Sequence, residues 1–197
     1  MLSKSLVLML QLSYIFCNTD IQKAPSLSLN PNPVIVNDAT FINLGTYRGF
    51  TDVGAEYQKS YFVSRFMKAP FGESRAICRS YDLELVTLET LNETLAFLKM
   101  ADNCKILQSL EILVDGATSS PHLKGDWLWT KTGAKISFPL PWDADQPNAF
   151  NNVQFCLSIY KENMTKNFGF NDAFCTNPFL FACQRIELFI PKVADTV

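Results

Sequence analysis

Cysteine sets the first constraint on this chain. Six occur in 197 residues, at positions 17, 78, 104, 156, 175 and 183, beside a single histidine, His122. One histidine excludes any site that needs two, such as an HExxH zinc hydrolase or a Cys2His2 finger. Whether the thiols bridge or bind metal then turns on the redox compartment. Residues 1–17 read as a secretory signal. Lys4 supplies the positive start, and Leu6-Val7-Leu8-Met9-Leu10 opens a short apolar run that reaches Phe16 through Gln11, Ser13 and Tyr14. That run is too short and too broken to span a bilayer, and no other stretch of about 18 apolar residues follows. The expectation is a secreted, extracellular protein whose cysteines form disulfides. If Cys17 leaves with the signal, five remain, enough for two bridges and one cysteine over. Two sequons, Asn92-Glu93-Thr94 and Asn163-Met164-Thr165, fit a glycoprotein.

Composition narrows the function classes. Hydrophobic residues are 48% of the chain and charged residues 18%, so a sizeable core is within reach. Lys plus Arg is 17 against 19 Asp plus Glu, a net charge of −2, which leaves no cationic excess to neutralise nucleic-acid phosphates. No GxSxG, P-loop or HExxH motif is present, so no enzymatic reading has support. His122, in Ser119-Ser120-Pro121-His122, reads as an exposed turn residue.

Residues 18–56 read as an N-terminal extension, with Asn30-Pro31-Asn32-Pro33 blocking a helix and a strand expected at Val34–Val36. A domain is expected over 57–185, followed by a tail at 186–197. Pro70 suits the start of a helix running to about Tyr81, and residues 83–88 alternate as a strand does. Thr90 and Glu93 have the spacing of a capping box, and Leu91, Leu95, Leu98 and Met100 are the expected buried stripe of a second helix ending near Asn103. Short strands then follow at 112–114, 126–130, 155–160, 167–173 and 179–184. In the 126–130 strand Trp127 and Trp129 face the core. Helices early and strands late predict an α+β domain with small antiparallel sheets. Residues 132–152 form a long irregular loop region, and such loops inside compact domains are usually functional.

Taken in order, Phe71-Gly72-Glu73-Ser74-Arg75-Ala76-Ile77-Cys78, Gly125-Asp126-Trp127-Leu128-Trp129, Gln146-Pro147-Asn148, Asn152-Val153-Gln154-Phe155-Cys156, Phe170-Asn171-Asp172-Ala173-Phe174-Cys175 and Phe181-Ala182-Cys183 resemble the C-type lectin-like domain. The resemblance covers about residues 57–184 and is similar to the short form found in secreted insect lectins, because the extra N-terminal cysteine pair of the long form is missing. It implies bridges Cys78–Cys183 and Cys156–Cys175, although spacing alone leaves other connectivities open. Loop-closure arguments give roughly 4–5 kcal/mol for the longer bridge and about 3 kcal/mol for the shorter. Cys104 is then left over, either a buried thiol or the bridge of a disulfide dimer.

The resemblance also implies a calcium and sugar site. A cis Gln146–Pro147 bond would aim Gln146 and Asn148 at one point, joined by Gln154, Asn171 and Asp172. All five offer oxygen, as a hard cation requires. The triplet combines features of the mannose-type and galactose-type patterns, and amides can donate or accept, so the preferred sugar stays open. Gln154 stands where the family commonly has Glu, which leaves Asp172 as the sole anionic ligand, and carboxylate count tunes calcium affinity. Two readings result. One is carbohydrate binding, with weak calcium dependence, through these five residues and toward glycans or glycoproteins. The other is a calcium-independent protein-interaction module on the same fold, suited to an immune or reproductive secretion. Neither involves nucleic acid or membrane insertion.

Overall fold

A computed structural model describes residues 39–51, 53–104, 107, 111–121 and 126–189. The expected signal, the strand at 34–36, His122 and Gly125 lie outside them. Nine elements follow in chain order: β1 (Phe41–Phe50), β2 (Glu56–Ser64), α1 (Phe71–Ser80), β3 (Glu84–Leu85), α2 (Leu91–Asn103), β4 (Glu111–Ala117), β5 (Cys156–Tyr160), β6 (Gly169–Ala173) and β7 (Leu180–Phe189). The strands form one sheet in the order β1-β2-β7-β4-β5-β6, with β3 also on β7. All pairs are antiparallel except β4 with β7, so the sheet is mixed where small antiparallel sheets were expected.

The sheet begins sooner and ends later than the expected domain boundaries. β1 pairs with β2 from Phe41↔Ser64 to Phe50↔Glu56, inside the segment read as an extension. Its buried Phe41, Ile42 and Leu44 explain the pairing, since apolar burial stabilises by about 25 cal/mol per Å². At the other end β7 pairs with β2 as far as Glu56↔Phe189, into the expected tail. Gly49 leaves room for the ring of Tyr57 on the neighbouring strand: a Cβ would lie 2.7 Å from the end of that ring and displace it.

β7 joins the two halves of the sheet. Its first residues pair with β4, Leu180 opposite Ile112 and Phe181 opposite Leu113, while residues 182–189 pair with β2. Cys183, on the same strand, bonds Cys78 of α1, and Cys156 bonds Cys175. Both bridges are those the resemblance implied. Cys104 is disulfide-bonded, so it is not the buried thiol that sequence allowed.

Pro70 serves as the N-cap of α1, and Phe71, Ser74 and Cys78 form the buried face. Thr90 caps α2 as expected, its hydroxyl accepting from the Glu93 amide at 3.1 Å. The reciprocal arm differs, because Glu93 Oε2 accepts from the Glu89 amide, one residue before the cap. The buried face is also rotated. Glu93, Thr94, Phe97, Leu98 and Ala101 are buried, whereas Leu91 and Leu95 are 37% and 50% exposed. The cause lies on β2, where Lys59 and Tyr61 both reach Glu93 Oε1 at 2.7 Å and turn that side chain inward. Only Glu84 and Leu85 of the expected 83–88 strand pair as a strand. Residues 126–130 likewise contribute only isolated bridges through Leu128, with Trp127 and Trp129 buried on one side and Leu128 exposed.

Candidate functional site

The long loop is fastened to the sheet before its tip is reached. The Asp143 amide donates to the Phe170 carbonyl at 2.8 Å and the Phe170 amide to the Pro141 carbonyl at 2.9 Å. Gly169 permits this approach, since a Cβ there would stand 2.6 Å from the Asp143 nitrogen. Trp142 packs against the buried Phe170 ring at 6.3 Å and against Trp127 at 5.4 Å. Phe170 thus fills its place at the root of the loop without a polar atom to satisfy.

Beyond that anchor the backbone turns sharply. The Gln146–Pro147 peptide is cis, and Asp145, Ala149, Asn151 and Asn152 all have positive φ, a conformation in which short polar side chains are enriched. Three successive amides consequently face inward. Asn148 and Ala149 donate to the two carboxylate oxygens of Asp172 at 3.0 and 2.7 Å. The Phe150 amide is shared between Gln154 Oε1 at 2.7 Å and Asn148 Oδ1 at 3.0 Å. Successive amides arranged in this way form a concavity that favours an anion, and buried Asp172 on β6 supplies it. Gln154, buried just before β5, completes the lining.

The other two expected site residues do not join this network. Asn171 precedes Asp172 on β6, and neighbouring strand residues point to opposite faces. Its amide donates to Glu111 Oε1 at 3.0 Å and to Ser158 Oγ at 3.3 Å. Burial pushes the Glu111 carboxyl above its ordinary range, and hydrogen bonds from Ser158 and Asn171 act in the opposite direction. Gln146 Oε1 is buried and has no hydrogen-bond partner among the described residues.

Calcium takes roughly six to eight oxygens at about 2.3–2.6 Å. Here the oxygens of Asp172, Asn148 and Gln154 accept amides of the loop, and Asn171 is held on the other face. As arranged, the five side chains do not fit a calcium ion. Among the described residues no group of three or more His, Cys, Asp or Glu could hold a metal either.

What the loop does present to solvent is amides around an aromatic ring. Asn148, Asn151 and Asn152 are exposed, Phe150 is 57% exposed and Val153 46%. The Phe150 ring rests edge-on against Phe174 at 6.3 Å. Sequence reasoning passed over Phe150, Asn151, Asn152 and Val153, although an aromatic residue set among asparagines beside the triplet was there to be read. Of the sequon residues, Asn163 is exposed with Oδ1 accepting from the Thr165 amide and hydroxyl at 2.9 and 2.6 Å. Asn92 is exposed on α2, but Thr94 is buried with its hydroxyl on the Thr90 carbonyl.

No protein-family model matches the chain. Over 91 residues, 42% of its length, it is 33% identical to a galactose-binding isoform of C-type lectin from Pseudechis australis. It is 31% identical to C-type lectin BML-1 of Bungarus multicinctus over 91 residues. In both cases it spans about half, 56%, of the relative. Among solved structures it is similar to the C-type lectin domain of murine dendritic cell inhibitory receptor 2 in complex with N-glycan, with TM-score 0.53 and 21% identity over 66% of this chain and 91% of that one. It is also similar to the carbohydrate-recognition domain of the mouse scavenger receptor C-type lectin, with TM-score 0.51 and 19% identity over 73% and 95%. The chain thus has the fold of C-type lectin domains, and part of its length is similar in sequence to C-type lectins.

Proposed function

We propose that the domain is an extracellular recognition module that binds glycans through the exposed rim at residues 148–153, and that Asp172 holds this rim in shape without a metal. The observation that carries the reading is the pair of amide hydrogen bonds to the buried Asp172 carboxylate. They hold the loop shape from within and leave the side-chain NH2 of Asn148 and the side-chain amides of Asn151 and Asn152 to meet sugar hydroxyls, which both donate and accept. Phe150 offers an apolar face for the C–H side of a sugar ring. Lectin relatives support recognition over catalysis. The bridges at Cys78–Cys183 and Cys156–Cys175 support an oxidising, extracellular setting.

Retention on galactose and mannose resins, with and without EDTA, tests the reading. Binding should survive EDTA and fall about tenfold in Phe150→Ala, while millimolar Ca²⁺ leaves the melting temperature unchanged. Binding abolished by EDTA would mean that the five oxygens rearrange around calcium. Absence of retention on any glycan would favour the protein-interaction module instead.

A further inference from the structure

The inward turn of the 148–150 amides fixes what the same peptides show on their other side. A trans peptide is planar, with its N–H and C=O antiparallel, and the only cis bond among the described residues is Gln146–Pro147. The Asn148 and Ala149 amides donate to Asp172, so the carbonyls of Pro147 and Asn148 point away from it. Neither carbonyl accepts a hydrogen bond among the described residues, whereas the Ala149 carbonyl is taken by the Asn152 amide at 2.6 Å. The concavity that would seat an anion is filled from within by the protein's own carboxylate. A ligand arriving from outside meets the acceptor side of the same peptides.

Charge has the same sign. Asp172 forms no ion pair among the described residues. Residues 136–160 hold two charged side chains, Asp143 and Asp145, and no Lys, Arg or His. Asp145 is exposed, and three residues of chain keep its Cα within about 11 Å of that of Asn148, inside the reach of a charge at low salt. We infer that the rim selects neutral glycans and rejects those bearing sialic acid, sulfate or phosphate. The inference rests on the rim being the glycan site and names its ligand class. Hydroxyls of a neutral sugar donate to the outward carbonyls and accept from the side-chain amides of Asn148, Asn151 and Asn152. A carboxylate or sulfate has no proton for those carbonyls, and amides that donate to it leave its charge without a counter-charge. It would also lie near carboxylates, where like charges repel.

Frontal chromatography of the full chain compares two matched pairs, lactose with 3′-sialyllactose resin and mannose with mannose 6-phosphate resin. In about 10 mM NaCl the anionic member should be held at least about fivefold more weakly than its neutral partner. In about 1 M NaCl the screening length falls from about 30 Å to about 3 Å, and the gap should narrow. The double variant Asp143→Asn, Asp145→Asn should raise the ratio of anionic to neutral affinity about threefold at low salt. Asparagine tolerates the positive φ of Asp145, so that variant should keep the parent's melting temperature. An anionic sugar held as tightly as its neutral partner, or more tightly, would overturn the selectivity and leave the rim standing as a glycan site. A gap that neither salt nor the double variant changes would be steric, and would overturn it equally. No retention on either neutral sugar would overturn the rim reading and this selectivity together.

Discussion

Glu93 and Asp172 are both fully buried carboxylates, yet the first faces a cation and the second faces only backbone amides. Glu93 sits on α2 against Lys59 and Tyr61 of β2, and Lys59 also pairs with Glu89 and donates to the Thr87 carbonyl. Asp172 sits on β6 with two loop amides. A charge pair of the first kind fixes how two rigid elements dock, and it tolerates small changes in backbone direction. A carboxylate answered by dipoles depends on the amides pointing at it, so it couples directly to the shape of the loop. One buried acid therefore serves the framework, and the other holds the loop proposed as the recognition surface.

The largest effect should come from removing the cation. Lys59→Met leaves Glu93 without its counter-charge in a buried place, and unfolding in urea should show a loss of about 3–5 kcal/mol. Asp172→Ala should cost less, about 1–3 kcal/mol, by stranding the Asn148 and Ala149 amides. Its characteristic result would be lost retention on glycan resin while the Cys78–Cys183 and Cys156–Cys175 bridges remain, as read by mass spectrometry of unreduced peptides. If Asp172→Ala kept full retention, the division between framework and recognition acids would collapse.

Acid titration sharpens the contrast further. Burial, aided by the charge of Glu89, holds the Glu93 carboxyl above its ordinary range in spite of Lys59. Burial also opposes ionisation of Glu89, but the Lys59 charge and hydrogen bonds from Lys59 and Thr87 hold that group below the range. A raised folded value means that the contribution of Glu93 is complete below the unfolded value and is lost as pH rises through the folded one. Glu89 contributes above its unfolded value and loses that contribution as pH falls through its lowered one. In urea midpoints taken from pH 4 to 8, the deficit of Glu93→Gln relative to the parent should therefore narrow as pH rises. A deficit that widened with pH would reverse the direction assigned to Glu93. The smallest effect is expected at Leu95→Lys, within about 0.5 kcal/mol, because that side of α2 faces water.

Much of this architecture could be read from the amino acids. The starts of both helices, the strands at 112–114, 155–160, 167–173 and 179–184, and the two bridges implied by the family pattern were all legible. The misreadings share a cause, since each depends on a partner distant in sequence. Periodicity places Leu91 and Leu95 inside, and nothing near them reveals that Lys59, thirty residues before Glu89, will draw Glu93 there instead. β1 carries no cysteine and little alternation, so its membership of the sheet emerges only with β2 beside it. At the site, adjacency suggested that Asn171 and Asp172 act together. Strand geometry sends them to opposite faces, and Glu111 claims Asn171. The inward turn of the 148–150 amides rests on positive φ at Asp145, Ala149, Asn151 and Asn152, which residue type alone does not dictate at Ala149.

The position of β7 bears on the order in which the parts can come together during synthesis. This strand pairs with β2, β3 and β4 and is the last made of the described elements. Cys78 waits 105 residues for Cys183. A nascent chain that has released β1, β2, both helices and β4 thus has a hairpin and a helical layer, but no seam between the two sides of the sheet. The edges of β2 and β4 stay unpaired until residues 180–189 emerge from the ribosome. Until then those edges are open to other chains. Any change that slows the arrival or pairing of β7 should appear first as lost yield of folded protein, before any weakening of the finished domain.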